Sequence, residues 1–475
     1  MIRVDQNYID GQFVPVTGEE IVDIVNPADE TVIGQAQLAS REDARRAIEA
    51  AARAQPRFAR STVAERIALL ERLQAAMLAH ADVLRESSIL EYGGPLARSQ
   101  WVANYASQCF GDVVRTLANY AFERPAGLDG VSTRRMVPVG VSGLFAPWNA
   151  AAGTIASKLA AAIAAGCASV VKPSELSPWQ AHLITRAIHD ADLPAGVVNV
   201  VTGRGADVGA EIGTHPAVAK LSFTGSTPTG RLIARGAADT MKRVSLALTG
   251  KSASVLLDDA DLRAAIPLAL GAAFMNSGQA CVAGTRLLVP RSRMDEVVAL
   301  VGTAVNAMRV GDPRDPATTI GPMVNRAQFE RIQHFIRRGL AQGATLVAGG
   351  EGRPEGLTHG WFVRPTVFAD VRNDMDIARE EIFGPVLSIL PVDSDEDAIA
   401  IANDSIYGLQ GYVFSSDVAR ARRVAERLDT GTVLINRVAP DLLAPFGGVK
   451  QSGLGREFGA MGLEAFLEPR TITVA

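Results

Sequence analysis

Cysteine is scarce in this chain: three in 475 residues, Cys109, Cys167 and Cys281. They share no ligand spacing and suggest no disulfide framework, and the six histidines are scattered. A structural metal is therefore not expected, and a reducing cytoplasm is. Basic runs are missing too, and the net charge is −4. That argues against nucleic acid or a membrane surface as the partner. No apolar stretch, such as 159–171, is long enough for a bilayer span of roughly 20 residues. The stretch MIRVDQNYIDGQFVP carries early charges and no apolar core, so it does not read as a secretory signal.

What is present is an ordinary globular composition, nearly half hydrophobic and about a fifth charged. The length exceeds one core and predicts about two or three domains. Residues 40–120 read as long Ala-rich amphipathic helices, and 132–149 switches to a period of two. Helices at 153–165, 177–191, 205–213 and 228–239 then alternate with the strands CASVVKPS, VVNVVTG, AKLSFTGS and KRVSLALTG. Such alternation predicts a parallel sheet covered on both faces. A second α/β run follows over 251–435, with helices 264–277, 292–309 and 326–342 and strands TRLLVP and VLSILPV. The tail GLEAFLEPRTITVA ends in an alternating strand suited to pairing with another subunit.

Three stretches offer chemistry. In FMNSGQACVAGTR (274–286), Cys281 sits in a Gly-punctuated loop between helix and strand, where a thiol can meet a substrate. Read alone, it is equally well a small buried hydrophobe. Cys109 and Cys167 read as packing. FTGSTPTG (223–230) joins a strand end, a Gly turn and a helix start, a geometry that aims backbone N–H groups at phosphate. VVKPSE (170–175) puts Lys172 and Glu175 at a strand's carboxyl end, where they suit ribose hydroxyls.

These stretches fall in order with four others: PWN (147–149), GKSA (250–253), EEIFGP (380–385) and PFGGVKQSGLGRE (445–457). Over essentially its whole length the chain resembles the aldehyde dehydrogenase superfamily. The resemblance implies an α/β fold: a Rossmann-like coenzyme domain (1–118 and 140–250), an α/β catalytic domain (251–450) and a small β oligomerisation domain (119–139 and 457–475). It implies oxidation of an aldehyde with NAD or NADP by a homodimer or homotetramer. Cys281 matches the nucleophile, and Asn149 with the Cys281 backbone N–H matches the oxyanion hole. Lys172, Ser174 and Glu175 match the adenosine-ribose site, Gly225 and Ser226 the pyrophosphate turn, and Glu381 and Phe383 the nicotinamide side. Trp148 and Leu248 are also placed at the coenzyme, and Lys158 and Glu457 in a proton relay. Glu175 repels a 2′-phosphate, so NAD is the expected coenzyme and NADP the second option. The entrance, by the same resemblance, runs from Trp101 to Phe110 and includes Trp148, Met275, Val282 and 437–444. It suits a medium-sized apolar or aromatic aldehyde.

One motif departs from the family. Where the family usually reads Leu-Glu-Leu-Gly-Gly-Lys, this chain reads LALTGK (246–251). The glutamate is the family's general base for thioester hydrolysis; here Ala247 stands in its place and Thr249 replaces a glycine. A positioned base contributes roughly 10²–10⁴ in rate. Three explanations stand side by side: a natural enzyme that passes its acyl group to a thiol or another acceptor, an engineered base-less variant of a hydrolytic enzyme, and an inactive relative that binds without catalysis.

Overall fold

In the computed structural model, residues 1–128 and 130–474 are described; Asp129 and Ala475, which fall in the expected oligomerisation segments, lie outside the described residues. Strands buried on both faces build the centre of an eight-stranded sheet. Arg243–Ala247, Lys220–Thr224, Ser142–Phe145, Ser169–Lys172 and Val198–Val200 run parallel in that spatial order. Gly453–Leu454 closes one edge and the hairpin Gln6–Ile9 and Gln12–Pro15 the other, all antiparallel to their neighbours.

The chain enters this sheet at Ser142–Phe145, builds outward through Ser169–Lys172 and Val198–Val200, then returns to the other side with Lys220–Thr224 and Arg243–Ala247. The strand order therefore reverses beside Ser142–Phe145. A crevice opens at such a reversal, at the carboxyl ends of the strands. The helix Ala151–Ala165 follows directly; its Ala-rich sequence lets it sit almost wholly buried against the sheet and the helix Val102–Ala118.

A second, seven-stranded sheet has the order Thr345–Ala348, Thr366–Ala369, Val386–Val392, Arg286–Pro290, Ala253–Leu256, Gln410–Phe414 and Thr432–Ile435. All but Thr345–Ala348 pair in parallel. Residues 248–252 carry the chain from the last parallel strand of the first sheet into the middle of the second. A separate antiparallel sheet joins Glu123–Ala126, Ser132–Pro138 and Leu467–Thr473. No helix among the described residues is long and apolar enough to cross a membrane.

Two predicted helices differ in detail. The one expected at 264–277 ends at Phe274, and Met275–Gly278 forms a tight turn with Asn276 and Ser277 at φ 55° and 57°. The 205–213 helix opens as a widened turn, Gly205–Gly209, before the short helix Ala210–Thr214.

Candidate active site

The carboxyl ends of the parallel strands and the 275–284 loop enclose a cleft of about 460 Å³. Pro147, Trp148 and Asn149 continue Ser142–Phe145 into it; Thr224, Gly225 and Ser226 continue Lys220–Thr224. Ala247 and Thr249 contribute the wall beside them, and Cys281, Glu381 and Phe383 face them from the second sheet's side. A more open hollow of about 380 Å³, bounded by Asn26, Leu90, Arg314 and His359, shares no lining residue with this cleft.

Cys281 is half-buried in the cleft, on a loop whose shape is costly and well anchored. Asn276, Ser277 and Gly278 are all left-handed, a conformation costing about 1–2 kcal/mol for each non-glycine residue. The Asn276 amide nitrogen donates to the carbonyls of Asn149 (3.1 Å) and Gln279 (3.0 Å). The Ser277 hydroxyl accepts from Gly321 N–H at 2.9 Å. Gly278 packs so closely on Gly384 that a Cβ would overlap its carbonyl group. Asn149 Nδ2 donates to the Gln279 carbonyl at 2.8 Å, which orients the amide and leaves its second proton free for a substrate oxygen.

Burial pushes the Cys281 thiol up to about 12, and the nearby Glu381 carboxylate adds to the shift. Neutral thiol therefore predominates at pH 7, and the thiolate is the nucleophile. Removing the Glu381 charge lowers the thiol's pKa. At pH 8–9, Glu381→Gln should therefore speed alkylation of Cys281 by iodoacetamide, by up to about tenfold for each pKa unit recovered; stopped-time labelling with mass spectrometry reads it.

Glu381 itself is pushed up to about 7, chiefly by burial, against the Gly250 N–H, the Thr249 hydroxyl and the charges of Lys251 and Arg331. Gly250 N–H donates to Glu381 Oε1 at 3.2 Å. The strand end is pinned from behind: Ser452 Oγ donates to the Thr249 carbonyl at 2.6 Å, and Leu248 N–H to the Ser452 carbonyl. Glycine is required at 250, since a Cβ there would strike the Cys281 carbonyl oxygen. Lys251 is fully buried, its Nζ has no partner among the described residues, and burial pulls its pKa down to about 7. Ala247 places no polar atom on this wall, and its strand neighbours are Thr224 and Gly453.

At the carboxyl end of the neighbouring strand Ser169–Lys172, outside the residues that line the cleft, the buried Lys172 ammonium donates to Glu175 Oε2 (3.2 Å) and the Pro173 carbonyl (3.0 Å). The Ser174 hydroxyl accepts from Leu176 N–H. Gly225 presses on the Phe223 ring, where a Cβ would not fit, and Ser226 caps the helix Thr227–Ala238. Thr224 Oγ1 is buried at the cleft with no partner among the described residues. A helix N-terminus after a Gly turn, an orphaned hydroxyl and a Lys/Glu pair at strand ends fit the phosphates and ribose of a dinucleotide.

The profile of the Aldehyde dehydrogenase family matches residues 13–472. The chain belongs to this family. As a member it is an enzyme that oxidises aldehydes. It is 44% identical to a 3-succinoylsemialdehyde-pyridine dehydrogenase of a Pseudomonas species, over 98% of this chain and 97% of that relative. Among solved structures it superposes with TM-score 0.97 on a mutant of aldehyde dehydrogenase C from Pseudomonas syringae complexed with NAD+ and octanal, at 40% identity, covering 99% of this chain and 96% of that one. A Mycobacterium tuberculosis aldehyde dehydrogenase complexed with NAD+ matches with TM-score 0.95 and 37% identity, over 100% of this chain and 98% of that one.

Most residues assigned to the site by resemblance gather around the cleft of this aldehyde dehydrogenase. Leu248 does not: its side chain packs on Gly230 in the core. Lys158 and Glu457 form their own buried pair at 2.5 Å, with Ser222 Oγ 2.9 Å from the ammonium, beside a separate small cavity. Sequence reasoning missed Arg98, which donates to the Asn149 carbonyl at 2.8 Å and stacks on Tyr92. It also missed Gln279, buried beneath the cysteine, whose Oε1 accepts from Val324 N–H. Arg204 lies 3.9 Å from Glu175 while bonded to Glu20. Arg98 and Arg204 sit in no motif, and nothing local marks them. Gln279, inside the cysteine motif, was the one signal available.

Proposed function

We propose that this enzyme oxidises an aldehyde with NAD through a thiohemiacetal and then a thioester on Cys281, and that hydrolysis of the thioester is slowed or replaced by acyl transfer because residue 247 is alanine. The observation carrying this reading is that Cys281, Asn149, Glu381 and an apolar Ala247 line one cleft.

Cys281 Sγ bonds to the carbonyl carbon and gives up its proton to water. The carbonyl oxygen becomes an anion held by the second Asn149 N–H and the Cys281 N–H, donors worth on the order of 3 kcal/mol each. When that oxyanion re-forms the carbonyl, the carbon expels hydride and a thioester remains on sulfur. Bound NAD supplies the two-electron acceptor for that hydride. Lys172 and Glu175 hold the adenosine ribose, Gly225, Ser226 and the helix they open hold the pyrophosphate, and Glu381, Phe383 and Trp148 position the nicotinamide end. The Trp148 and Phe383 rings meet edge to face with centroids 5.4 Å apart. Lys172 and Arg204 partly offset the Glu175 charge, which leaves NADP as a weaker second coenzyme.

The exposed Trp101, Tyr105 and Leu443 favour a medium-sized apolar or aromatic aldehyde. Residues 1–118 and 140–250 serve as the coenzyme domain and 251–450 as the catalytic domain. The antiparallel sheet, with its exposed Glu123–Ala126 edge and mostly exposed Leu467–Thr473 strand, serves as the contact of a homodimer or homotetramer.

Rapid mixing with NAD and a panel of aldehydes tests the reading. One NADH per active site should form quickly, followed by a near halt in buffer, with an acyl mass on Cys281. Steady turnover at ordinary rates without an added acceptor counts against slowed hydrolysis. Absence of any burst or adduct identifies an inactive relative.

A further inference from the structure

We infer that Glu381 is the proton acceptor for the hydrolysis that remains, and that Thr249, the second departure from the family motif, positions it. The inference rests on the proposed acyl-enzyme at Cys281. Ala247, Thr249, Glu381 and Cys281 line the same cleft, and Ala247 brings no acceptor to it. Among the cleft's lining residues, Glu380 and Glu381 are the carboxylates. Glu381 is the one tied to the cysteine loop by geometry: its Oε1 accepts from Gly250 N–H, Gly250 packs against the Cys281 carbonyl oxygen, and Glu457 lines a separate cavity.

Thr249 gives that carboxylate a defined direction. Its hydroxyl oxygen accepts from Thr227 N–H at 3.2 Å, so its own proton is free to be donated, and Glu381 lines the same cleft, its Oε1 on the N–H of the next residue, Gly250. A glycine at 249 would leave the Thr227 N–H without this acceptor and offer the carboxylate no neighbouring hydroxyl. Gly250 N–H fixes the other side of Glu381 Oε1, and Arg331 holds the backbone by donating to the Glu381 carbonyl at 2.6 Å. The remaining charged or titratable neighbours are Lys251, Glu380 and Tyr407. A carboxylate that titrates near neutrality can both take and return a proton at physiological pH.

The step balances without another reagent. Water attacks the thioester carbon as its proton passes to Glu381. The tetrahedral intermediate then expels the Cys281 sulfur with the C–S bonding pair, giving the carboxylic acid. Glu381 returns its proton to that thiolate, which burial strongly favours in the thiol form. Because the same carboxylate is assigned to the nicotinamide ribose, base and coenzyme contact are used in turn, and deacylation follows loosening of the coenzyme.

The test uses the full-length protein without coenzyme. p-Nitrophenyl acetate acylates the cysteine in a burst of p-nitrophenolate, and the slow phase reports deacylation. The wild-type slow phase should fall as pH drops through about 7. Glu381→Gln should slow it at least tenfold and flatten that limb, while hydroxylamine, which needs no base, restores release. Thr249→Val should keep the burst and move the midpoint to higher pH, because a hydrogen bond favouring the carboxylate form is lost. An unchanged slow phase in Glu381→Gln, or a limb abolished by Glu457→Gln and untouched by both other variants, overturns the inference. No burst in the wild type sinks the acyl-enzyme reading instead.

Discussion

Ala247→Glu should raise steady-state NADH formation by roughly 10²–10⁴ while leaving the first-turnover burst at one per site. The argument is positional. Residue 247 ends the parallel strand Arg243–Ala247, and its side chain lines the cleft that holds Cys281. The cleft's volume of about 460 Å³ leaves room for a longer side chain. A carboxylate restored there sits on an apolar wall, so burial should raise its pKa and the rate should climb toward alkaline pH. Any stimulation of the wild type by added thiols should shrink in the variant, since water would then compete effectively. If the burst persists and the steady rate does not move, deacylation is not what limits this enzyme, or Thr249 obstructs the new side chain; Ala247→Glu with Thr249→Gly separates the two.

Asn149→Ala should cut the burst rate itself by about 10²–10³, from the loss of one oxyanion donor worth about 3 kcal/mol. The burst amplitude and NAD affinity should be nearly unchanged, because the amide nitrogen contacts the loop rather than the dinucleotide side. Asn149→Asp would be the harsher change, setting a negative group where the oxyanion forms. Arg98 lends a secondary check. Its bond to the Asn149 carbonyl orients the segment, so Arg98→Met should reproduce a fraction of the Asn149→Ala loss in kcat without its full extent. A wild-type burst rate in Asn149→Ala would remove this residue from the chemistry.

The alternation of apolar strands with helices from 142 to 247 was legible because a parallel sheet buried on both faces leaves an unmistakable apolar pattern. The Gly turn after Lys220–Thr224 and the cysteine loop were legible as turns for a related reason: close backbone approach demands glycine, as at Gly225, Gly250 and Gly278. What escaped was set by partners distant in sequence. The helix predicted through 277 stops at Phe274 because Asn276 and Ser277 find partners at Asn149 and Gly321, which no local window contains. Arg98 meets Asn149 only through folding, across 51 positions. The consequence of Thr249 was equally hidden. In the sequence it is only a replaced glycine; in place its hydroxyl accepts from the Thr227 amide on the cleft wall it shares with Glu381.

The short bridge at 248–252 couples two properties that other architectures keep apart. It packs against the Cys281 backbone at Gly250 and is also a covalent tie between the two large sheets, locked from behind by Ser452. Any rocking of one sheet against the other therefore shifts Thr249 and Gly250 relative to Cys281 at the same moment. Opening wide enough to release coenzyme and retuning the thiol become one motion, and selection acting on either will drag the other with it.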